Sequence, residues 1–287
     1  MQAGSPTASV LMTTFRNDAR DLRRSIDSIL GQTFRDFEFI IVFESNDPNC
    51  DLVRASYDDP RLVIVRNETN LGRCPSYNKG LGLARGRYLA RMDADDLAYP
   101  ERLERQIGFL IAHPDIAVVG SDVHVVDTDG RVVGRRAFPT THQGIVKALT
   151  LVNPMCHPTI VWDREKVGED VRFDLRFSRY CDDLELWMRL IGEGARFANI
   201  GEPLLAYKQP GDHRRPIDNW RYNFRARALH WRLALRHPRL LVGVGAFGVV
   251  SLLPASVIDA FTRRNAFSDR LRFIEAVEHD SPEEFQA

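Results

Sequence analysis

Five consecutive residues, Met92-Asp93-Ala94-Asp95-Asp96, place three carboxylates at the end of an apolar segment that is typical of a strand. Ligands of α/β proteins bind at such strand ends. Carboxylates packed this closely repel one another, and a divalent cation relieves the repulsion, with oxygen ligands suiting Mg²⁺ or Mn²⁺ bridging to a diphosphate. The segment is therefore a candidate metal and diphosphate site. The alternative is a solvated acidic turn in which Asp96 caps the next helix.

A second acidic pair, Asp182-Asp183, opens a predicted helix over 183–191. Acidic side chains at a helix N-terminus accept hydrogen bonds from free N–H groups and complement the helix dipole. From these residues alone, simple capping is the alternative to a chemical role.

Short β-branched runs alternate with helical periodicity through the first two thirds of the chain, the pattern of a mostly parallel sheet covered by helices. We predict strands at 9–14, 37–43, 62–65, 87–92, 118–126 and 132–133. Asn17 or Asp18 can cap a helix that ends at Gly31, and another helix passes through 77–84. A further helix starts near Pro100 and ends at Pro114, with one apolar face formed by Leu103, Ile107, Leu110 and Ile111.

The order is less regular beyond Thr140. We predict a helix up to Leu151, a strand at 159–162, the helix at 183–191, and strands near Phe197 and Leu205. A last helix, over 219–235, carries Trp220, Phe224, Ala228, Trp231 and Leu235 on one stripe.

Composition restricts the class of protein. The 287 residues are 44% hydrophobic, which excludes disordered and fibrous classes. Lys plus Arg equal Asp plus Glu at 39 each, which argues against a nucleic-acid partner. The four cysteines form no Cys-x-x-Cys pair and are expected to be reduced, and residues 1–9 lack the pattern of a secretory signal. We therefore expect a cytoplasmic protein.

Several motifs in a fixed order resemble those of the family 2 glycosyltransferases. They are Thr13-Thr14-Phe15-Arg16-Asn17 after the first strand, the second strand ending at Glu44, Asn70-Leu71-Gly72 before Asn78-Lys79-Gly80, Gly86-Arg87-Tyr88 leading into the Asp-x-Asp segment, Asn153 to Thr159 with its His-Pro-Thr, and Cys181 to Leu190 with its acidic pair and Leu-Trp. The resemblance spans about 200 residues and implies a glycosyltransferase A fold: α/β, with a Rossmann-like mixed, mostly parallel sheet flanked by helices.

The resemblance also implies site residues. For binding a nucleotide-diphosphate sugar it implies Thr14, Asn17, Glu44, Asn78, Asp93 and Lys208. For Mn²⁺ or Mg²⁺ it implies Asp95 and Asp93, with His213 as a further ligand. For the acceptor side it implies His157, Asp182 and Trp187, and for the catalytic base Asp183.

The chemistry expected from these parts is an inverting sugar transfer, because a single base and direct displacement need no carboxylate nucleophile. From the membrane-like C-terminal region we expect the acceptor to be a saccharide or lipid-linked saccharide of cell-envelope or surface polysaccharide synthesis. One rival is a sugar-phosphate nucleotidyltransferase, although residues 14–17 lack the glycine-rich phosphate loop which that class would need. The other rival is a non-enzymatic sugar-nucleotide-binding scaffold.

The C-terminal region differs from the rest in charge. Eight arginines lie between Arg214 and Arg239 against one acid, Asp218, and residues 240–258 carry no charge. We expect a catalytic domain at 6–215 and a basic, apolar helical extension at 216–287 that attaches to the anionic inner face of the cell membrane. Residues 240–258 could lie in the interface, pack on the protein or span the membrane.

Overall fold

The computed structural model of the protein describes residues 4–168, 171–208, 217–254, 257 and 274–275. The strands are β1 (Ala8–Thr14), β2 (Phe37–Phe43), β3 (Leu62–Arg66), β4 (Tyr88–Met92), β5 (Leu97–Ala98), β6 (Val118–Val126), β7 (Val132–Arg136), β8 (Val161–Asp163), β9 (Phe197–Lys208) and β10 (Ile274–Glu275). The α-helices are α1 (Ala19–Leu30), α2 (Asn49–Ser56), α3 (Arg73–Leu83), α4 (Arg102–Ala112), α5 (His142–Ala148), α6 (Arg164–Val167), α7 (Asp182–Gly192), α8 (Ile217–Leu229), α9 (Trp231–Arg236) and α10 (Arg239–Ser251).

One mixed sheet organises the chain. Strands β3, β2, β1 and β4 lie side by side and parallel, in that order. Antiparallel β8 follows β4, and β6 lies beyond it, pairing with β7 as a hairpin and with β9 in parallel. Because the carboxyl ends of parallel strands meet at one edge, the residues after β1, β2 and β4 converge. The expected fold class is confirmed.

Hydrophobic side chains fill both faces of the sheet. Within β1, Leu11 packs into a cluster with Trp187 of α7, whereas Val10 and Met12 pack into a second cluster with Ile26 of α1. The period of two along the strand produces this division. The acidic segment after β4 therefore lies at the end of a sheet that is buried on both faces.

Most of the predicted helices form where the pattern placed them. Asp18 caps α1 by accepting from the N–H groups of Arg20 and Asp21. One helical face was misjudged: Ile111 is 64% exposed at the end of α4. The reason is that two polar side chains of α4, Arg102 and Gln106, occupy buried positions and rotate the inward face away from it.

Two strand predictions near the acceptor-side segment also needed correction. The strand expected at 159–162 begins only at Val161, because His157–Thr159 forms a 3-10 turn. The strands expected near Phe197 and Leu205 are one strand, β9, whose pairing with β6 shifts register near Pro203.

The helix predicted over 219–235 is interrupted at His230, which separates α8 from α9. Trp231 and Leu235, assigned to the apolar stripe, are 52% and 60% exposed. Leu233 and Ala234 are buried instead, because the break changes which face of α9 meets α7.

Helix α10 packs on the protein along one face. Leu240, Gly243 and Phe247 are buried, and the ring of Phe247 lies 5.6 Å from that of Trp220 on α8. A Cβ atom added to Gly243 would lie 2.0 Å from the backbone oxygen of Thr150. No helix in the described part of the chain is both long and apolar enough to cross a membrane.

Candidate active site

The turn after β1 forms the first wall of the site. The Thr14 hydroxyl donates to Asn17 Oδ1 at 2.9 Å, and the same oxygen accepts from the N–H of Phe15 at 3.3 Å. These bonds hold the turn that leads into α1. Thr14 and Asn17, both expected at the donor, line one cleft of about 330 Å³.

The acidic segment after β4 forms the opposite wall. Asp93 and Asp95 line the same cleft as Thr14, whereas Asp96 is buried at 1% exposure. Asp96 Oδ1 accepts from the backbone N–H of Lys208 at 2.8 Å, while its Oδ2 has no partner within the described residues. Burial, and then the charges of Asp93 and Asp95, raise the pKa of Asp96 well above its usual range.

The chemistry of this segment fits a divalent cation. Burial raises the pKa of Asp95, and the Asp93 charge raises it further, so a bound cation would relieve repulsion between two accessible carboxylates. The described residues contain no cluster of three or more His, Cys, Asp or Glu able to hold a metal. Two carboxylates with the remaining ligands from a diphosphate and water are nevertheless sufficient for Mg²⁺. His213 lies outside the described residues.

Glu44 is engaged by the protein itself. Its carboxylate accepts from the Ser76 hydroxyl at 2.7 Å, from the Leu71 N–H at 2.8 Å and from the Asn67 amide at 3.2 Å. Glu44 is buried yet contributes to the cleft wall. Its evident structural effect is to fix the loop that leads into α3.

The two remaining expected donor residues, Asn78 and Lys208, are not among the residues that line this cleft. The Asn78 amide is bonded to the backbone N–H and oxygen of Phe173, at 2.8 and 2.9 Å, and Asn78 is not among the cleft-lining residues. The Lys208 ammonium pairs with Asp21 and lines a separate cavity of about 40 Å³, which Asp95 also borders.

The second acidic pair stands at the start of α7. Asp183 Oδ2 accepts from the Asn153 amide at 2.6 Å, and its Oδ1 accepts from the Leu184 N–H at 2.7 Å. Burial, and then the charge of Asp182, raise the pKa of Asp183 to about 6. Asp182 is buried and pairs with Arg73 at 2.5 Å. A carboxylate with this pKa suits a general base near neutral pH.

An aromatic cluster lies beside this pair. The His157 ring lies 5.8 Å from that of Trp187 and 6.2 Å from that of Tyr77, and its Nε2 is buried without a partner in the described residues. Burial, followed by the charges of Arg91 and Arg73, lowers the pKa of His157 well below its usual range, so the ring is neutral. Trp187 is fully buried with its ring edge-on to that of His157, so a role of Trp187 on the acceptor side would act through His157.

The sequence model described as Glycosyl transferase family 2 matches residues 9–171, more than half of the chain. The protein belongs to glycosyltransferase family 2. Its acidic segment falls within the matched range, whereas α7 and the C-terminal helices follow it.

Named relatives support the same family. An uncharacterised glycosyltransferase of Methanocaldococcus jannaschii is 34% identical over 71% of both chains. The O-antigen biosynthesis glycosyltransferase WbnJ of Escherichia coli is 31% identical over 70% of this chain and 78% of its own. The amylovoran biosynthesis glycosyltransferase AmsE of Erwinia amylovora is 27% identical over 87% of this chain and 96% of its own.

Solved structures share the fold. The S. aureus TarS 1-349 complex with UDP-GlcNAc matches with a TM-score of 0.65 and 19% identity, over 93% of this chain and 76% of that one. A longer TarS structure is covered over only 39% of its length. The mannosyltransferase PcManGT of Pyrobaculum calidifontis, in complex with GDP-Man and Mn²⁺, matches with a TM-score of 0.56 and 16% identity, over 92% and 81%.

Three residues of this candidate site were not assigned a role from sequence. Arg73 lines the cleft and pairs with Asp182, Arg91 pairs with Asp93 at 2.8 Å, and Asn153 holds Asp183. Arg91 could have been identified from the sequence, because a charged residue inside an otherwise apolar strand needs a buried partner.

Proposed function

We propose that the protein is an inverting glycosyltransferase that moves a sugar from a nucleotide-diphosphate sugar to an acceptor hydroxyl. One observation carries the proposal: accessible carboxylates line a cleft at the strand ends, while a separate carboxylate with a pKa of about 6 stands at the start of α7. The carboxylates of the cleft suit binding of a charged donor. The carboxylate at the start of α7 suits removal of a proton from the acceptor.

On the donor side, Asp95 and Asp93 would hold Mn²⁺ or Mg²⁺. When bound, the cation supplies Lewis-acid stabilisation of the departing diphosphate. The likeness to a TarS complex with UDP-GlcNAc and to a mannosyltransferase complex with GDP-Man and Mn²⁺ supports a nucleotide sugar and a metal. Arg73 adds a positive charge to the same cleft, which favours a diphosphate.

On the acceptor side, Asp183 would take the proton of the attacking hydroxyl. Asn153 and the Leu184 N–H orient its carboxylate, and Asp182, tied to Arg73, raises its proton affinity. The displacement then proceeds with a single base, so the product has inverted configuration.

The acceptor we propose is a saccharide or lipid-linked saccharide of cell-envelope polysaccharide synthesis. This rests on the relatives named for O-antigen and amylovoran biosynthesis.

The test is a panel of UDP-GlcNAc, UDP-glucose, UDP-galactose, GDP-mannose and dTDP-rhamnose, each with and without Mn²⁺. Thermal stabilisation by one donor that requires the metal, and slow metal-dependent release of its free sugar, is the expected result. Donor binding without sugar release by the wild type would favour the non-enzymatic scaffold. Formation of a nucleotide sugar from a nucleoside triphosphate and a sugar phosphate would favour the nucleotidyltransferase.

We also propose that the enzyme works at the anionic inner face of the cell membrane. Exposed apolar side chains cover the outer side of α9 and α10: Trp231, Leu235, Leu241, Val242, Val249 and Leu252. Five exposed arginines lie on α8, α9 and the start of α10, namely Arg221, Arg225, Arg232, Arg236 and Arg239, and no acid lies between Asp218 and Ile258. Such a surface complements anionic lipid headgroups, with about 1 kcal/mol per basic residue.

Sedimentation with phosphatidylglycerol vesicles tests this surface. We expect the protein to bind them, to bind neutral phosphatidylcholine vesicles less, and to lose only part of its affinity at high salt. Leu252→Asp should weaken binding without destabilising the fold, because Leu252 is 86% exposed. Leu52→Asp, at a residue of α2 that is 56% exposed and lies outside these helices, is the matched control. Protein that stays in the supernatant at low salt would contradict the proposal.

A further inference from the structure

Arg91 is a buried cation in the middle of the site. Its side chain is 3% exposed, and its backbone is fixed in β4, where its N–H donates to Ile160 and its carbonyl oxygen accepts from Arg102. Arginine is almost never fully buried unless it is paired.

The pairing that Arg91 makes is directed at one carboxylate oxygen. Its guanidinium contacts Asp93 Oδ1 at 2.8 Å, and the Tyr77 hydroxyl donates to the same oxygen at 3.3 Å. The guanidinium carbon lies 4.7 Å from the centre of the Tyr77 ring, which holds it in place. Asp93 nevertheless stays 32% exposed and lines the cleft. The protein therefore restrains a carboxylate that a ligand can still reach.

A comparison with Arg102 separates this arrangement from an ordinary structural arginine. Arg102 is also buried, and all three of its nitrogens are bonded, to Gln106, Met92 and the Arg91 carbonyl. Arg91 instead leaves Nε and Nη1 without a hydrogen-bond partner among the described residues. An arginine kept only for stability would be expected to satisfy more of its donors.

We propose that Arg91 is a positioning residue of the transfer reaction: it fixes Oδ1 of Asp93 and leaves the rest of that carboxylate accessible to the donor. The inference rests on the proposed function, since it assigns Asp93 to the donor. The competing explanation is an ion pair that only stabilises β4 against its loop.

The experiment measures donor Kd by calorimetry with Mn²⁺, using whichever sugar nucleotide of the five-member panel binds the wild type. Arg91→Met should raise Kd about 10- to 100-fold, the usual effect of losing a residue that orients a ligand-binding carboxylate. Arg91→Lys should recover part of this loss, because it restores the charge without the planar fork. In an Asp93→Asn background, Arg91→Met should change Kd less than about 3-fold, since the coupled partner is already gone.

Arg87→Met is the matched control, because Arg87 precedes the same strand and pairs with Asp163 and Glu165. It should leave donor Kd unchanged. An unchanged donor Kd in Arg91→Met, together with a lower melting temperature, would overturn the inference. If Arg91→Met does not fold, the donor Kd of Arg91→Lys is compared with that of the wild type instead. If Asp93→Asn itself leaves Kd unchanged, or no donor binds the wild type, the proposed donor site fails and the inference with it.

Discussion

The two acidic sets of the site share one residue type and differ in their surroundings. Asp93 and Asp95 follow a strand and line an open cleft, with Arg91 against one of them. Asp182 and Asp183 begin a helix, where burial and mutual repulsion raise the pKa of Asp183 to about 6. The open set suits a charged ligand from solvent, and the enclosed set suits proton transfer. The roles that we propose for the two pairs therefore follow from their environment more than from residue identity.

The sharpest test of this division is Asp183→Asn. The amide keeps the shape of the side chain but cannot accept the acceptor's proton, so kcat should fall about 100- to 10,000-fold. Donor Kd should stay at the wild-type value, because Asp183 is not among the cleft-lining residues. Steady-state kinetics and calorimetry measure the two quantities. Near-wild-type turnover would mean that another residue is the catalytic base, with Asp182 as the first candidate.

The reciprocal variant is Asp95→Ala. Losing the carboxylate should remove about 2–4 kcal/mol of metal-dependent donor binding, roughly a 30- to 1000-fold rise in Kd. Calorimetry with and without Mn²⁺ reports the effect. If the affinity of Asp95→Ala for the donor in the presence of Mn²⁺ is unchanged, Asp93 and Asp95 do not form the metal site. The proposed contrast with Asp182 and Asp183 is then wrong.

The pH dependence follows from the raised pKa of Asp183. The base must be ionised, so kcat should fall about tenfold per pH unit below pH 6. Because the folded-state pKa exceeds the unfolded value, stability contributed by the protonated form is present below about pH 4 and is lost as pH rises through 6. The free energy of unfolding of Asp183→Asn relative to wild type should therefore rise over this window, by up to about 3 kcal/mol. A kcat that is flat from pH 7 to 5 would contradict the assignment.

The smallest expected effect concerns the packing of α10 near the segment that holds Asp183. Gly243→Ala places a methyl group against the Thr150 backbone, near the segment that carries Asn153, and should destabilise the fold by about 1–3 kcal/mol. Gly245→Ala is the control: nothing lies within 4 Å of its Cβ position, so it should stabilise α10 by about 0.5–1 kcal/mol. Thermal or denaturant unfolding separates the two. Equal effects would mean that α10 does not pack closely on this segment.

Sequence predicted the parts of the site that depend on local pattern. The positions of the Asp-x-Asp segment after a buried strand and of the acids opening α7 could be predicted because periodicity and capping are local signals, whereas their roles came only from the resemblance to family 2 glycosyltransferases. The pairing of Lys208 with Asp21 could not, since the two residues are 187 positions apart and meet only through the sheet. The break at His230 was also hidden, because the apolar residues on either side fit one continuous helix.

The dependence of α7 on the C-terminal helices has a consequence for how the protein is made. Glu185 of α7 is buried and bonded to His230, and Leu233 and Leu240 complete the cluster around Trp187. At about 5–20 residues per second, the ribosome needs about 3 to 12 s to extend the chain from the end of α7 to the end of α10. During that interval the helix carrying Asp183 has an uncovered apolar face. We therefore expect nascent chains released before α10 to be held by chaperones or degraded, even though every residue that lines the donor cleft has already been synthesised.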